Sequence, residues 1–417
     1  MTAAIMQQAD AMKFLRVHQK LVSNPIAEIR AAVREPLDGL GLKVPQGDIG
    51  ITAGSRGIAN IAVITRACGD WLREHGARPF LFPAMGSHNG GTAEGQRAMI
   101  ESLGLTEEAM GMPIRASMDV VKIGTVSTGD VWMDRHAFES EGVLVLNRIK
   151  LHTCFAGPVQ SGLTKMMVVG MGKTPSATTF HSAPTPQMKE MLLEMGQVVL
   201  GSGKIWAGLA ILEDGYDETA ELHAVRPAET LRREPELVDR HRHYFPRLPL
   251  EHIQVLVVDS IGKTFSGTGM DTNVIGYRAV RDGEDLTTPV VNVIAALELH
   301  PSSKGNAIGV GIADFITRRL RDAIDEQKTF LNSFTTGHMG RAKIPVTFRN
   351  DQELFEMIAG RYGEKGWLVI PNTLHLETLY ASPDLREALE AHPLCCVDPQ
   401  PVDLVFKDGR HQLAFKP

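Results

Sequence analysis

Three side chains able to move protons, bond covalently or ligate a metal fall within the thirty-five residues NRIKLHTCFAGPVQSGLTKMMVVGMGKTPSATTFH, from Asn147 to His181. The apolar run GVLVLNRIKLH delivers His152 to the end of a predicted strand. A glycine-bearing flexible turn then presents Lys165, and His181 follows sixteen positions later. Imidazole suits proton transfer and metal ligation because its pKa lies near neutrality; a primary amine suits covalent attachment once it is neutral.

Two earlier turns share this layout. ITAGSRG places Ser55 and Arg56 just after a strand, and PAMGSHNGG places His88 after the next. A polar or ionisable group directly after a buried strand, flanked by glycines, is where α/β enzymes put catalytic residues. One loop histidine alone has the plainer reading of a solvated or capping residue; three such turns in one domain favour function. A fourth strand-end turn, VLVVDSIGKTFSGTGMDTNVIG, places Lys263 before a Gly-Thr-Gly run that could turn several N–H groups onto one anion, with Asp271 and Asn273 organising the loop. Its plainer reading is a tight connection whose glycines serve geometry only.

Two GKT triplets invite a nucleotide-binding P-loop and fail it. The glycine required five positions earlier is Met167 for Gly172-Lys173-Thr174 and Val257 for Gly262-Lys263-Thr264. A GxGxxG after the first strand is also missing. His241 and His243 lack a carboxylate or cysteine at ligand spacing and read as solvent-facing, while His300, His338 and His375 are single histidines with no visible partner.

These turns need strands to hold them. GDIGITAG, ARPFLFPAMG, GVLVLNRIK and WAGLAILED read as strands, and IANIAVITRACGDWLREHGA, TAEGQRAMIESLG and PQMKEMLLEMGQVVLGSG as helices between them. The charged, proline-punctuated stretch 232–252 reads as a connector, helical in its first half. A second series follows: IQVLVVDSIG, TPVVNVIAALELH, GVGIADFITRRLRDAIDEQ, KIPVTF, DQELFEMIAGRYG, and a closing strand pair around CCVDP and VDLVFK. Alternating β and α elements predict an α/β fold of two α/β domains with largely parallel sheets, residues 1–250 and 251–417, with the active site in the cleft between them.

Bulk properties narrow the partners. A chain of 417 residues, 43% hydrophobic and 22% charged, can bury large cores, and its net charge of −6 gives no attraction for nucleic-acid phosphates. The N-terminal segment has no apolar h-region, and no apolar run is long enough to span a membrane. The four cysteines, Cys68, Cys154, Cys395 and Cys396, show no metal-finger spacing, so a reducing cytoplasmic setting is expected.

With these residues assembled, the chain resembles the lactate racemase family, most strongly from Gly47 to Pro184. The resemblance matches Ser55-Arg56 to that family's strand-end arginine turn, Gly86-Ser87-His88 to its catalytic-histidine turn, and His152 to a second histidine. It matches Ser161-Gly162-Leu163-Thr164-Lys165 to the turn whose lysine bonds the cofactor, His181 to the nickel ligand, and Lys263 to a lysine of the second domain. Departures are Ala53 where the founding racemases carry aspartate, Gly57 where they carry proline, Leu163 in place of a glycine, and a longer turn from His152 to Lys165.

The resemblance implies an isomerase, a racemase or epimerase inverting C2 of a 2-hydroxy acid. Its cofactor would be a nickel-pincer nucleotide bound covalently through Lys165 and ligated by His181. His88 and His152 would be the two bases, and Ser55, Arg56 and Lys263 would contact substrate or cofactor. Implied partners are a small 2-hydroxy acid and the cofactor-synthesis enzymes, with no nucleic acid or membrane, for a monomer or homodimer. Two other classes stay open: a nickel-independent dehydrogenase or lyase, and an organic-acid-binding protein without turnover.

Overall fold

The computed structural model describes residues 12–280 and 283–415; the reading of the extreme N-terminal segment, residues 1–11, lies outside them. In chain order the strands are β1 (Lys13–Gln19), β2 (Gly47–Ala53), β3 (Ala77–Pro83), β4 (Val120–Val126), β5 (Gly129–Asp134), β6 (Gly142–Arg148), β7 (Ile205–Glu213) and β8 (Thr219–Val225). Then come β9 (His252–Ile261), β10 (Val290–Leu299), β11 (Phe315–Thr317), β12 (Val346–Phe348), β13 (Trp367–Ile370), β14 (Thr378–Ala381) and β15 (Cys395–Val397). The chain forms two compact units: Val22–Phe245, and Met1–Leu21 together with Pro246–Pro417.

The first unit holds a five-stranded sheet in the order β3-β2-β6-β7-β8, parallel except for β8. Strands buried on both faces must be apolar throughout. Accordingly, all nine residues of β7, IWAGLAILE, are buried. One face packs on the helix Ile61–Glu74, whose Ile64, Cys68, Trp71 and Leu72 join Ile49, Ile51, Leu144 and Leu209 in the core. From β2 the chain moves to β3 on one side, and β6 lies on the other, so strand order reverses between β2 and β6. The β2–β6 ladder ends at Ile51 and Leu144. One step on, the buried Thr52 hydroxyl donates to Leu146 O (3.0 Å) and accepts from Leu146 N–H (2.8 Å). The strands therefore splay without orphaning backbone groups. The hairpin β4–β5 was not read from sequence.

The second unit is built on the order β12-β11-β10-β9-β13-β14-β1-β15, parallel from β12 to β13. Its order reverses between β9 and β13. Two expectations are corrected. Residues 13–19 do not belong with the first domain: β1 pairs antiparallel with β14 and β15. The closing strands do not pair with each other either, because β15 and the short strand Val402–Asp403 both pair with β1. A terminal strand joins whichever open edge its backbone can complete, and sequence position does not limit that choice.

The stretch read as a connector is a fifteen-residue helix, Thr230–Tyr244, belonging to the first unit. It buries Glu234, Leu237, Val238 and His241 along one face. His241 was expected to face solvent and is buried instead, at 6% exposure with neither ring nitrogen bonded; His243 is exposed. Burial pushes the His241 imidazole down to about 3, reinforced by Lys150 and Arg148.

Candidate functional site

The carboxyl ends of β2, β3 and β6 each release one loop carrying a chemical group: Ser55 and Arg56 after β2, His88 after β3, His152 after β6. In open parallel sheets, ligands bind outside these ends where strand order reverses, because neighbouring loops diverge there and leave a crevice. Ser55 Oγ lies 2.5 Å from His88 Nδ1, joining the first two loops.

The third loop leads into helical segments, Leu163–Lys165, a π-helical turn Met166–Gly170, and the helix Lys173–Ser182, with a turn at Met171 and Gly172 and a φ of +52° at Lys173. Lys165 thus sits at the end of a helical turn and not in the flexible turn expected. A π turn adds a residue to the helical repeat and re-aims the side chains on either side of it. The His88 turn is tied to it by Gly86 N–H donating to Gly170 O (3.2 Å). Gly86 has φ +62°, and a Cβ there would lie 3.2 Å from Ala177 Cβ, so glycine permits this close approach.

Lys173, the lysine of the first GKT, is fully buried beneath the same turn. Its Nζ donates to Pro83 O and lies 3.1 Å from Asp134 Oδ2 and 3.4 Å from Gln96 Oε1. Gln96 in turn donates to Gly86 O (2.8 Å). Lys173 therefore braces the loop that carries His88.

The Lys165 turn is braced from the other side by Glu234. Glu234 Oε2 accepts from Thr164 N–H (2.8 Å) and from the Thr164 hydroxyl (2.6 Å). Its Oε1 is buried without a partner, and burial pushes the carboxyl up to about 7. A Cβ on Gly162 would stand 2.2 Å from that Oε1. Gly208 on β7 plays the same part beneath, since a Cβ there would meet Leu163 Cδ1 at 2.7 Å.

His152 is buried at 9% exposure, and its ring stacks on Phe155 with centroids 4.2 Å apart. Its backbone N–H donates to Gln160 Oε1 (2.8 Å), and its ring Nδ1 accepts from Cys154 N–H (3.1 Å). A peptide N–H only donates, so the neutral ring carries its proton on Nε2.

The electrostatics show which groups converge. Burial lowers the Lys165 amine to about 8; the Cys154 thiol opposes that shift and Arg56 adds to it. Burial likewise lowers the His181 imidazole to about 4, reinforced by Lys165, His152 and His88 and opposed by Cys154. Arg56, His88, His152, Cys154, Lys165 and His181 therefore share one field. Arg56 has no hydrogen bond or ion pair among the described residues, and desolvation together with Arg148 lowers its pKa. Arg148 itself is paired with Glu213, which also accepts from Ala59 N–H (2.6 Å) and so holds the Arg56 loop.

Among the described residues no cluster of three or more His, Cys, Asp or Glu side chains could hold a metal. The chain offers a metal the His181 imidazole, beside an amine poised for bonding. Such a donor set fits a metal that arrives with its other ligands already attached. Sequence reasoning missed Cys154, Arg148 and Glu234. The first two carried a weak signal, lying on the strand and turn that bear His152; Glu234 carried none.

Lys263 lies in the second unit, after β9. Its Nζ donates to Asn332 Oδ1 (2.8 Å). Several N–H groups at and after the Gly-Thr-Gly run are taken within the protein. Gly269 N–H donates to Ser266 O, Met270 N–H to Thr268 O, and Asp271 N–H to Thr373 Oγ1. Asp271 does organise the loop, its Oδ1 accepting from Asn273 N–H (3.0 Å).

No protein-family model matches this chain, and no curated protein sequence matches it. Among solved structures, the lactate racemase apoprotein from Thermoanaerobacterium thermosaccharolyticum is similar with a TM-score of 0.49 and 13% sequence identity, over 86% of this chain and 94% of that one. No helix among the described residues is long and apolar enough to cross a membrane.

Proposed function

We propose that this protein is a racemase or epimerase of 2-hydroxy acids that uses a nickel-pincer nucleotide, joined to Lys165 and ligated by His181. The observation that carries the reading is the convergence of a desolvated amine titrating near 8 with an imidazole titrating near 4. At neutral pH the imidazole is fully neutral and able to ligate a metal. The amine is neutral in about a tenth of molecules, against well under a thousandth for an ordinary lysine. That is the state in which an amine forms a covalent bond. The resemblance of the motifs around both residues selects this cofactor over others. When bound, the cofactor would supply an electrophilic carbon that accepts the substrate hydride.

The remaining work falls to the chain's own residues. Arg56, a guanidinium without a partner among the described residues, binds the substrate carboxylate, and Arg148 adds positive field.

His88 and His152 are not equivalent. The Ser55 hydroxyl can either donate to or accept from His88 Nδ1, so His88 Nε2 can be bare and take a hydroxyl proton. Neutral His152 presents Nε2–H and is a donor; it accepts a proton there only after releasing the Cys154 N–H bond. His88 is therefore placed to take the hydroxyl proton and His152 to give one, and the two epimers depend on the two histidines unequally.

The test is intact-protein and peptide mass spectrometry with metal analysis, after co-expression with cofactor-synthesis enzymes. A mass increment on the Lys165 peptide with bound nickel, absent from Lys165→Arg, is expected. Active, nickel-loaded protein with unmodified Lys165 would overturn the reading.

A further inference from the structure

The helix Glu326–Thr336 of the C-terminal unit is inside out. Its buried side chains are polar, Thr329 and Ser333, both fully enclosed. Its large apolar side chains face out: Phe330 is 41% exposed, Leu331 65% and Phe334 76%. The polar face is committed. Thr329 Oγ1 accepts from Ala307 N–H (3.0 Å), Ser333 Oγ donates to His338 O (2.7 Å), and Asn332 Oδ1 accepts from the Lys263 amine (2.8 Å). Rolling the helix to bury its phenylalanines would orphan these groups, so its own polar residues hold the apolar face outward.

Residues three and four apart on a helix are neighbours, so Phe330, Leu331 and Phe334 form one surface. Met339, 50% exposed, extends it, its Sδ lying 3.7 Å from Ser333 Oγ. From these exposures and the ordinary size of such side chains, the four present on the order of 400 Å² of apolar surface. A patch of that size marks an interaction site. The charges at the helix's amino end are spent internally, Glu326 on Arg321 and Lys328 on Asp325, so the face offers little to a charged partner or an anionic bilayer. A neutral apolar face suits its own copy, because a two-fold axis brings a surface against itself and unpaired like charges would meet. The segment before β1 is poorly placed to cover it. The helix is bonded to loops that leave the carboxyl ends of β9 and β10, through Lys263 and Ala307. β1 is antiparallel to β14, which is antiparallel to β13, so β1 runs parallel to β9 and starts at the opposite edge of the sheet. Residues 1–11 reach at most about 37 Å. Crossing one ten-residue strand and four strand spacings takes about as much, which leaves nothing to lie on the face.

We propose that two copies of this chain pair through the helix Glu326–Thr336 about a two-fold axis. The helices lie antiparallel, with Phe330 of one copy against Phe334 of the other and Leu331 beside the axis. The four side chains of each copy together bury on the order of 800 Å², less than the roughly 1,200–2,000 Å² of a stable interface. The dimer is therefore weak and concentration-dependent, with a dissociation constant on the order of 10 μM. The surface belongs to the C-terminal unit alone, so the pairing stands whether or not Lys165 carries a cofactor.

The test is sedimentation velocity of the full chain without cofactor, from well below to well above that concentration. The mass is expected to rise from monomer to dimer. Phe334→Glu and Leu331→Lys change exposed side chains, so both should keep the wild-type thermal midpoint. Each puts a charge into the pairing face and should weaken the dimer about tenfold or more. Val405→Glu, at another exposed apolar side chain, should leave the dimer unchanged. A monomer at every concentration, a dimer indifferent to Phe334→Glu and Leu331→Lys, or one that Val405→Glu weakens equally overturns the pairing. Monomeric protein that floats with neutral phosphatidylcholine vesicles, and is released from them by Phe334→Glu, assigns the face to a bilayer and overturns it as well. Mass is read without turnover, so failure here and failure of the Lys165 assignment are told apart.

Discussion

The two sheets solve the same topological problem and put different chemistry on it. Each reverses strand order once, and each sends a lysine and two or more histidines out of the loops at that point. In the N-terminal unit His152 is buried and Lys165 and His181 are half-buried, while His88 and Arg56 are exposed. Lys165 sits on a helical turn braced by Glu234, His152 is stacked on Phe155, and the amine and the His181 imidazole are driven far from their ordinary values. In the C-terminal unit His300 is half-buried and His375 exposed, held by local caps from Ser302 and Asn372. Desolvation makes nucleophiles and metal ligands out of ordinary amines and imidazoles. The fold supplies the place, and burial decides what the groups there can do.

The sharpest way to break this contrast is to remove the histidines of the N-terminal unit. His88→Ala should lower turnover by about 10²- to 10⁴-fold, the usual worth of a positioned acid–base group. His152→Ala should be as severe for one epimer and milder for the other, measured as kcat on each separate epimer of the substrate. Equal, small losses for both variants and both epimers would return the histidines to structural roles.

Next in size is the buried ion pair. Lys173→Ala leaves Asp134 as an uncompensated buried charge and should cost about 3–5 kcal/mol in urea unfolding. Lys263→Ala, at a half-buried strand end, should cost far less. Similar losses for both would erase the distinction between the two lysines.

Glu234 sharpens the contrast further. Glu234→Ala orphans the Thr164 N–H and hydroxyl and should cost about 1–3 kcal/mol. Glu234→Gln keeps an acceptor and should lose little. The wild-type carboxyl titrates near 7 in the fold, above its unfolded value near 4.3. The folded state therefore binds the extra proton, and stability from this group is full below pH 4.3 and lost as pH rises through 7. Glu234→Gln has no such proton, so the difference in stability between wild type and variant should shift in the variant's favour over that window.

The smallest expected effect is a midpoint. Labelling of Lys165 by an amine-specific reagent, read by peptide mass, should follow the neutral amine with half-maximal rate near pH 8. Solvated lysines should follow near 10.4. A Lys165 midpoint at the ordinary value would mean that the turn is not desolvated.

Much of the N-terminal site was legible because strand-end loops announce themselves. A buried parallel strand is apolar on both faces, so a histidine just beyond its end stands out, as His152 does after GVLVLNRIKL. Periodicity likewise revealed the helix Ile61–Glu74 and the helix Met188–Gly201. What stayed hidden depended on partners far along the chain. Glu234 and His241 lie in a segment so charged that it read as solvated, yet they point inward, Glu234 onto a turn seventy residues earlier. Nothing local distinguishes a carboxylate that caps Thr164 from one that meets water.

Sequence by itself determined which residues follow strands, and hence that Arg56, His88 and His152 were candidates for chemistry. Strand character depends on local side-chain pattern, and a loop begins where that pattern stops. Only tertiary structure decided that β1 completes the C-terminal sheet, that Lys173 is a buried brace while Lys263 lies at a strand end, and that His300 and His375 share Phe265. Those outcomes turn on which strands become neighbours and how much water remains around each group. Both are set by packing between segments distant in the chain, which no local pattern encodes.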